Sequence, residues 1–107
     1  MWTLTPVEVV SALRRLVRAR ALEETIARRA EVRLDELVGG CHVVVDVDAV
    51  KAQARQLLRL HPLRASDSLR LGAALQWAEG HADGRAVHTL DARLGLAAQR
   101  EGFDIPE

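Results

Sequence analysis

The sequence predicts an α/β protein, a three-layer α/β/α sandwich whose middle layer is a small parallel sheet. Three observations lead there. The run Val43-Val44-Val45 with Val47 is β-branched without alternation, the pattern of a strand buried on both faces. Two further strand-like segments, Ala86 to Leu90 and Phe103 to Ile105, each follow a helical segment, and strands joined through helices run mostly parallel with right-handed crossovers. The resulting order is α-α-β-α-α-β-α-β in a single domain spanning all 107 residues. At that length one core can bury about 65% of the unfolded surface, and no repeat, linker or low-complexity stretch marks a second domain. Three strands are few for a covered sheet, and none precedes the first helix.

The first helix is expected from Thr5 to about Arg20, with Thr5 as N-cap, Pro6 at the first helical position and Glu8 completing a capping box. Val9, Ala12, Leu13, Leu16 and Val17 form its apolar stripe, while Glu8, Ser11, Arg15 and Arg18 share another face. A second helix, from about Leu22 to Val38, sets Leu22, Ile26, Ala30, Leu34 and Leu37 at steps of three or four and ends at Gly39-Gly40, so that the two helices form a hairpin. After the valine strand, Asp48 caps a helix from about Ala49 to Leu60 with Val50, Ala54, Leu57 and Leu58 inward, and His61-Pro62 stops it. Ser66-Asp67 opens a helix to about Glu79 with a close-packing face of Leu71, Ala74, Leu75 and Ala78. Gly80 to Gly84 is a polar turn. Asp91 caps the last helix, which runs to Arg100 and ends at Gly102.

Apolar residues make up 49% of the chain and aromatics only 3%, so the core is built from Leu, Val and Ala and no aromatic platform for single-stranded nucleic acid is expected. Trp77, near the end of its helix, is expected to pack. Fifteen basic and fifteen acidic residues cancel, which leaves no global field toward nucleic acid or an anionic membrane; any RNA contact must be local. Every basic residue except Lys51 is Arg, a bias that suits bidentate phosphate contacts but that a GC-rich genome explains equally well. Arg15 and Arg18, on the face of Glu8, are the candidates for such contacts, against the plainer reading of a solvated helix face. The single cysteine, Cys41, cannot form an internal disulfide and fits a small buried residue in a reducing compartment. With no signal peptide and no apolar run reaching roughly 18 residues, a cytoplasmic protein is expected.

Glu8, Asp67 and Asp91 each open a predicted helix, where the partial positive charge of the N-terminus favours the ionised carboxylate. In open α/β sheets ligands bind where strands lead into helix N-termini, and Asp91 stands at such a junction. Ionised carboxylates that cluster need a cation, and oxygen ligands free of imidazole and thiolate suit Mg²⁺ or Mn²⁺, whose natural chemistry with a phosphodiester is hydrolysis. His42, His61, His81 and His88 lack zinc-like spacing, and neither a Ser-His-Asp order nor a Gly-rich phosphate loop is present. Each acid also has a purely structural explanation: Glu8 in the capping box, Asp91 as an N-cap, Asp67 as a complement to the helix dipole.

Three segments resemble a known family. Leu4-Thr-Pro-Val-Glu-Val-Val-Ser-Ala-Leu-Arg-Arg, His61-Pro-Leu-Arg-Ala-Ser-Asp-Ser-Leu-Arg-Leu-Gly-Ala-Ala-Leu and Val87-His-Thr-Leu-Asp-Ala-Arg-Leu-Gly-Leu-Ala-Ala-Gln-Arg-Glu-Gly are similar, in order and separation, to motifs of the PIN-domain ribonucleases, particularly the VapC-like toxins of type II toxin-antitoxin modules. The resemblance implies an endoribonuclease dependent on Mg²⁺ or Mn²⁺, with Glu8, Asp67 and Asp91 as the second, third and fourth acids and Thr89 as a polar supporting residue. It also implies a cognate antitoxin as partner and a homodimer. The family begins with an apolar strand ending in Asp, and no such strand precedes Trp2. The expectation is therefore a PIN-like domain lacking its first strand and first acid, weak or inactive as a nuclease. The alternative is a noncatalytic module that binds an antitoxin or itself.

Overall fold

The computed structural model describes residues 1–79 and 82–106, and the ordered elements among them are helices. They are α1 (Thr5–Arg18), α2 (Glu24–Gly40), α3 (Val47–Leu60), α4 (Ala65–Trp77) and α5 (Ala92–Arg100). The parallel sheet of the expected α/β/α sandwich does not form. Among the described residues its place is taken by two isolated parallel bridges, Trp2 with Val44 and Ala86 with Asp104. The architecture is all-helical, and the sequence expectation is corrected on this point.

The reason lies in what each strand-like segment has beside it. A strand is stable only inside a ladder with several neighbours. Val44 finds a single partner in Trp2, and the valine run is cut short because Asp46, not Asp48, caps the next helix: its side chain accepts from Ala49 N–H at 3.0 Å, which draws Val47 into α3. Residues 86–90 are confined between the turn at Gly84 and the cap at Asp91. Among the described residues they pair through Val87 N–H to the Asp104 carbonyl and Asp104 N–H to the Arg85 carbonyl, both at 2.9 Å.

The chain divides into two compact units, one of Met1 with Thr3–Val43 and one of Trp2 with residues from Val44 onward. In the first, α1 and α2 pack as the expected hairpin, turned through Arg20 at φ 58°. Arg14 ties them together, its Nη1 donating to both Glu24 carboxylate oxygens at 2.8 and 2.7 Å and its Nη2 to Glu31 at 3.3 Å. Thr5 does not cap α1. The N-cap position falls to Leu4, whose side chain has no acceptor to offer, so the expected capping box is not the device that starts this helix. The Met1 amine reaches the His42 carbonyl. Cys41, expected inside, is exposed.

The second unit holds two buried clusters. Leu57, Leu71, Leu75, Leu94, Ala97, Ala98 and Phe103 belong to the larger, which joins α3, α4 and α5. Leu57 and Leu71 are almost wholly buried, and removing each from water contributes about 1.5–3 kcal/mol. The smaller gathers Trp2, Val44, Val50 and Ala73. The face expected to pack closely joins the larger cluster, with Leu71, Leu75 and Ala78 buried and Ala74 partly so; Gly72, which the sequence pattern did not single out, adds a close approach, since a Cβ there would stand 3.1 Å from the Val50 carbonyl oxygen and 3.3 Å from the Ala54 nitrogen of α3. Close packing of helix on helix thus fills the interior that a sheet would have supplied. Of the predicted polar turn 80–84, Gly80 and His81 lie outside the described residues, and Gly84 takes a positive φ of 74°.

Candidate functional site

The first turns of α4 and α5 share one open polar cleft, of about 460 Å³, lined by Arg64, Ser66, Asp67, Asp91, Ala92 and Arg93. Each helix start is set locally. Pro62 ends α3, Leu63 N–H bonds back to the His61 carbonyl at 2.9 Å, and Arg64 turns extended before α4 begins, with Ser68 Oγ donating to the Ala65 carbonyl at 2.7 Å. At α5, Asp91 Oδ1 accepts from Arg93 N–H at 2.9 Å and Leu94 N–H at 3.0 Å, a full N-cap. Thr89 Oγ1 accepts in turn from Asp91 N–H at 3.1 Å, which fixes the backbone just before the cap. Leu71 and Leu75 of α4 and Leu94, Ala97 and Ala98 of α5 anchor both helices in the same cluster, so the two starts stand together.

The electrostatics of the two acids differ. The Asp91 carboxyl is held below the usual carboxylate range, first by the Leu94 N–H, which desolvation opposes, and then by the Arg93 N–H and the Arg93 and Arg64 charges. Both cap hydrogen bonds fall on Oδ1, so the carboxylate is oriented while Oδ2 stays outside the cap. Asp67 is only 8% exposed, and its partner is Arg70, whose Nη1 reaches Oδ1 across a long 3.4 Å. Arg70 also lines a smaller neighbouring cavity of about 160 Å³ with Leu71, Ala74, Val87, His88, Thr89 and Leu94.

The structure thus brings Asp67, Asp91 and Thr89 to one region of the second unit. Glu8 lies half-buried in the first turn of α1, in the first unit, and its N–H bonds to the Leu4 carbonyl at 3.1 Å. Arg15 and Arg18 are exposed in the last turn of the same helix. Among the described residues no group of three or more His, Cys, Asp or Glu side chains forms a metal-binding set. Trp77, expected to pack, is 46% exposed and carries the Arg85 guanidinium 4.7 Å over its ring.

Arg64, Ser66 and Arg93 line the cleft although the sequence pattern singles out Arg15 and Arg18 instead. What marks them is position: Arg64 immediately precedes the helix that carries Asp67, and Arg93 falls in the first turn after the Asp91 cap. No family model, curated protein or solved structure matches this chain. No helix among the described residues is long and apolar enough to cross a membrane.

Proposed function

We propose that the chain is a metal-dependent endoribonuclease of the toxin-antitoxin type, related to the PIN-domain ribonucleases through its motifs, in which Asp67 and Asp91 hold a Mg²⁺ or Mn²⁺ ion. The observation that carries this reading is that these two acids, remote in sequence, line a single polar cleft. It rests on the cleft and not on a sheet. The donors suit a hard divalent cation: two carboxylates and the Ser66 hydroxyl, with neither imidazole nor thiolate among the lining residues. When bound, such an ion supplies a water of lowered pKa and neutralises the nonbridging oxygens of a phosphodiester.

The chain's own residues do the positioning. The cap orients Asp91 through Oδ1 and leaves Oδ2 for a cation, so capping and ligation are compatible in this side chain. Thr89 holds the cap's backbone. Asp67 brings a second carboxylate from α4; Glu8 belongs to the first unit, and its reading as an acid of the family rests on motif order alone. RNA is the substrate in this reading and a cognate antitoxin the partner.

Calorimetric titration with Mn²⁺ tests it. Binding is expected in the wild type and to be lost in Asp67→Asn and Asp91→Asn, with slow cleavage of single-stranded RNA that EDTA stops. A wild type that neither binds Mn²⁺ nor cleaves RNA overturns the reading.

A second reading, a noncatalytic module that binds an antitoxin or a second copy, is favoured by the apolar surface of α1 and α2. No residue of α1 is fully buried, and Val7, Leu16, Ile26, Val32 and Leu37 are exposed. It predicts association, measured by sedimentation, that survives Asp67→Asn and Asp91→Asn; a monomer that captures no partner counts against it.

A further inference from the structure

The net charge of zero means that an anionic polymer must be held by local cations if it is held at all. Most arginines that lie beside carboxylates here are engaged with them: Arg14 with Glu24 and Glu31, Arg28 with Glu24, Arg33 with Glu36, Arg70 with Asp67. Arg64 and Arg93 are different. Both line the cleft with Asp67 and Asp91 and both act on the Asp91 charge, yet neither forms an ion pair or a side-chain hydrogen bond with a described residue. Both residues are exposed at the cleft, with no such partner among the described residues.

We propose that Arg64 and Arg93 form a clamp for one backbone phosphate of a single-stranded RNA, set beside the Asp67 and Asp91 carboxylates. The inference rests on the nuclease reading above and names the substrate contact of that site. Charge accounting supports it. The two carboxylates and two guanidiniums of the lining cancel, with Arg70 beside them already set against Asp67, and a phosphate entering alone gains little net attraction from the lining. A divalent cation on the carboxylates turns the cleft net positive, and the planar, forked donors of arginine then match the nonbridging phosphate oxygens. RNA and metal should therefore bind cooperatively, each strengthening the other. The contact moves from Arg15 and Arg18, where helical spacing had put it, to residues that border the acids.

The test is equilibrium binding of a fluorescein-labelled single-stranded RNA, read by anisotropy at several salt concentrations with EDTA or with Mn²⁺, alongside Mn²⁺ calorimetry on the same proteins. In the double variant Arg64→Gln with Arg93→Gln, RNA affinity in Mn²⁺ is expected to fall about tenfold or more, as for a lost charge-assisted contact. The slope of log affinity against log salt should flatten by about 0.7, one phosphate's share for a single strand. Mn²⁺ affinity should be unchanged or higher, because two nearby positive charges have gone. Arg64→Lys with Arg93→Lys should restore the slope but only part of the affinity, and Arg15→Gln with Arg18→Gln should change neither. Inorganic phosphate that displaced the RNA stoichiometrically at low concentration would assign the clamp to free phosphate and overturn the RNA assignment. Unaltered RNA affinity and slope in the double Gln variant, with Mn²⁺ binding intact, would overturn the clamp and leave the nuclease reading standing. Absence of Mn²⁺ binding and cleavage in the wild type would overturn that reading, and absence of RNA binding would overturn the clamp.

Discussion

Gly72→Ala is the substitution that most directly tests how α3 and α4 meet. Gly72 has an ordinary helical backbone, since the positive-φ glycines of the described chain are Gly84 and Gly102, so only space argues for glycine there. On helix propensity alone the change would stabilise α4 by about 1 kcal/mol. The added methyl, however, would lie 3.1 Å from the Val50 carbonyl oxygen, 3.3 Å from the Ala54 nitrogen and 3.6 Å from Gln53 Cβ. The two nearest atoms are backbone atoms inside α3 and cannot rotate away, so the helices must separate by a few tenths of an ångström. That loosens the packing of Val50 and Leu57, both fully buried, and overpacking of this kind costs about 1–3 kcal/mol. The net expectation is destabilisation by about 0–2 kcal/mol for Ala and about 3 kcal/mol or more for Gly72→Val, whose bulk extends beyond Cβ. Gly95→Ala is the control. Its methyl would meet Thr89 Cγ2 at 3.7 Å and Ile105 Cγ2 at 3.9 Å, ordinary contacts, so the propensity gain of up to about 1 kcal/mol should be realised. Urea denaturation followed by far-UV circular dichroism reads both, with about 1–3 kcal/mol per molar converting midpoint to free energy. If Gly72→Ala raised the midpoint as much as Gly95→Ala, α3 and α4 would not be in backbone contact at this point and the account of the core would fail.

Three further outcomes are expected. Asp46→Ala should lower stability by about 1 kcal/mol, the usual worth of an N-cap, whereas Asp48→Ala, whose side chain only complements the dipole, should cost a few tenths (about 0.3 kcal/mol); equal effects in urea melts would contradict the cap assignment. His61 is buried with Nε2 2.8 Å from Glu101 Oε2 and with its Nδ1 lacking a partner among the described residues, so Glu101→Ala should cost about 1–3 kcal/mol by orphaning a second ring nitrogen, while Glu101→Gln, which keeps an acceptor, should cost less. Finally, Glu24, held down first by its hydrogen bond from Arg14 and then by that from Arg28, and Asp91, held down by its cap, both titrate below their usual range in the folded state. Their stabilisation is complete above the unfolded carboxylate pKa of about 4 and is lost as pH falls through the depressed folded values; Glu24→Gln and Asp91→Asn should flatten the acid limb of a stability-versus-pH curve, and an unchanged limb would count against both contacts.

Helices were legible in the sequence and sheet was not, for a physical reason. Amphipathic periodicity is a property of one segment, and all five helices fall where it placed them, with ends shifted by a few residues at the caps. A strand is a property of pairing. The residues Val43 to Val45 have every intrinsic mark of a buried strand, but nothing in their own sequence says whether two neighbours will lie beside them, and among the described residues the structure gives them Trp2 alone. Short apolar runs are where helix, strand and buried connection look alike, and Asp46 decided this one by capping two residues earlier than Asp48. The site was legible in part. Asp91 could be placed on a helix N-terminus from its spacing, but the pairing of that terminus with the one carrying Asp67 depends on how α4 and α5 share Leu71, Leu94 and Ala98, a long-range fact that no local spacing encodes.

The competition between cap and ligand changes once the two aspartates are compared atom by atom. At Asp91 the structural role is complete and still incompatible with nothing: both N–H groups use Oδ1, and the cap's rigidity presents Oδ2 in a fixed direction. At Asp67 the structural role is insufficient. A carboxylate that merely complements a helix dipole does so equally well from the surface, where it keeps its hydration, yet Asp67 is 8% exposed with, among the described residues, a single long contact from Arg70. A carboxylate that lines the cleft with so little set against it has room for a further partner there that capping does not supply, and a cation in the cleft would be one. Asp67→Asn separates the explanations. If Asp67 serves only the dipole, Asn should leave stability slightly lower and insensitive to Mn²⁺; if it is a ligand, Asn should be at least as stable as wild type without metal, and Mn²⁺ should raise the melting temperature of wild type alone. An equal Mn²⁺-induced rise in both proteins would remove Asp67 from the site and leave its burial without a functional account.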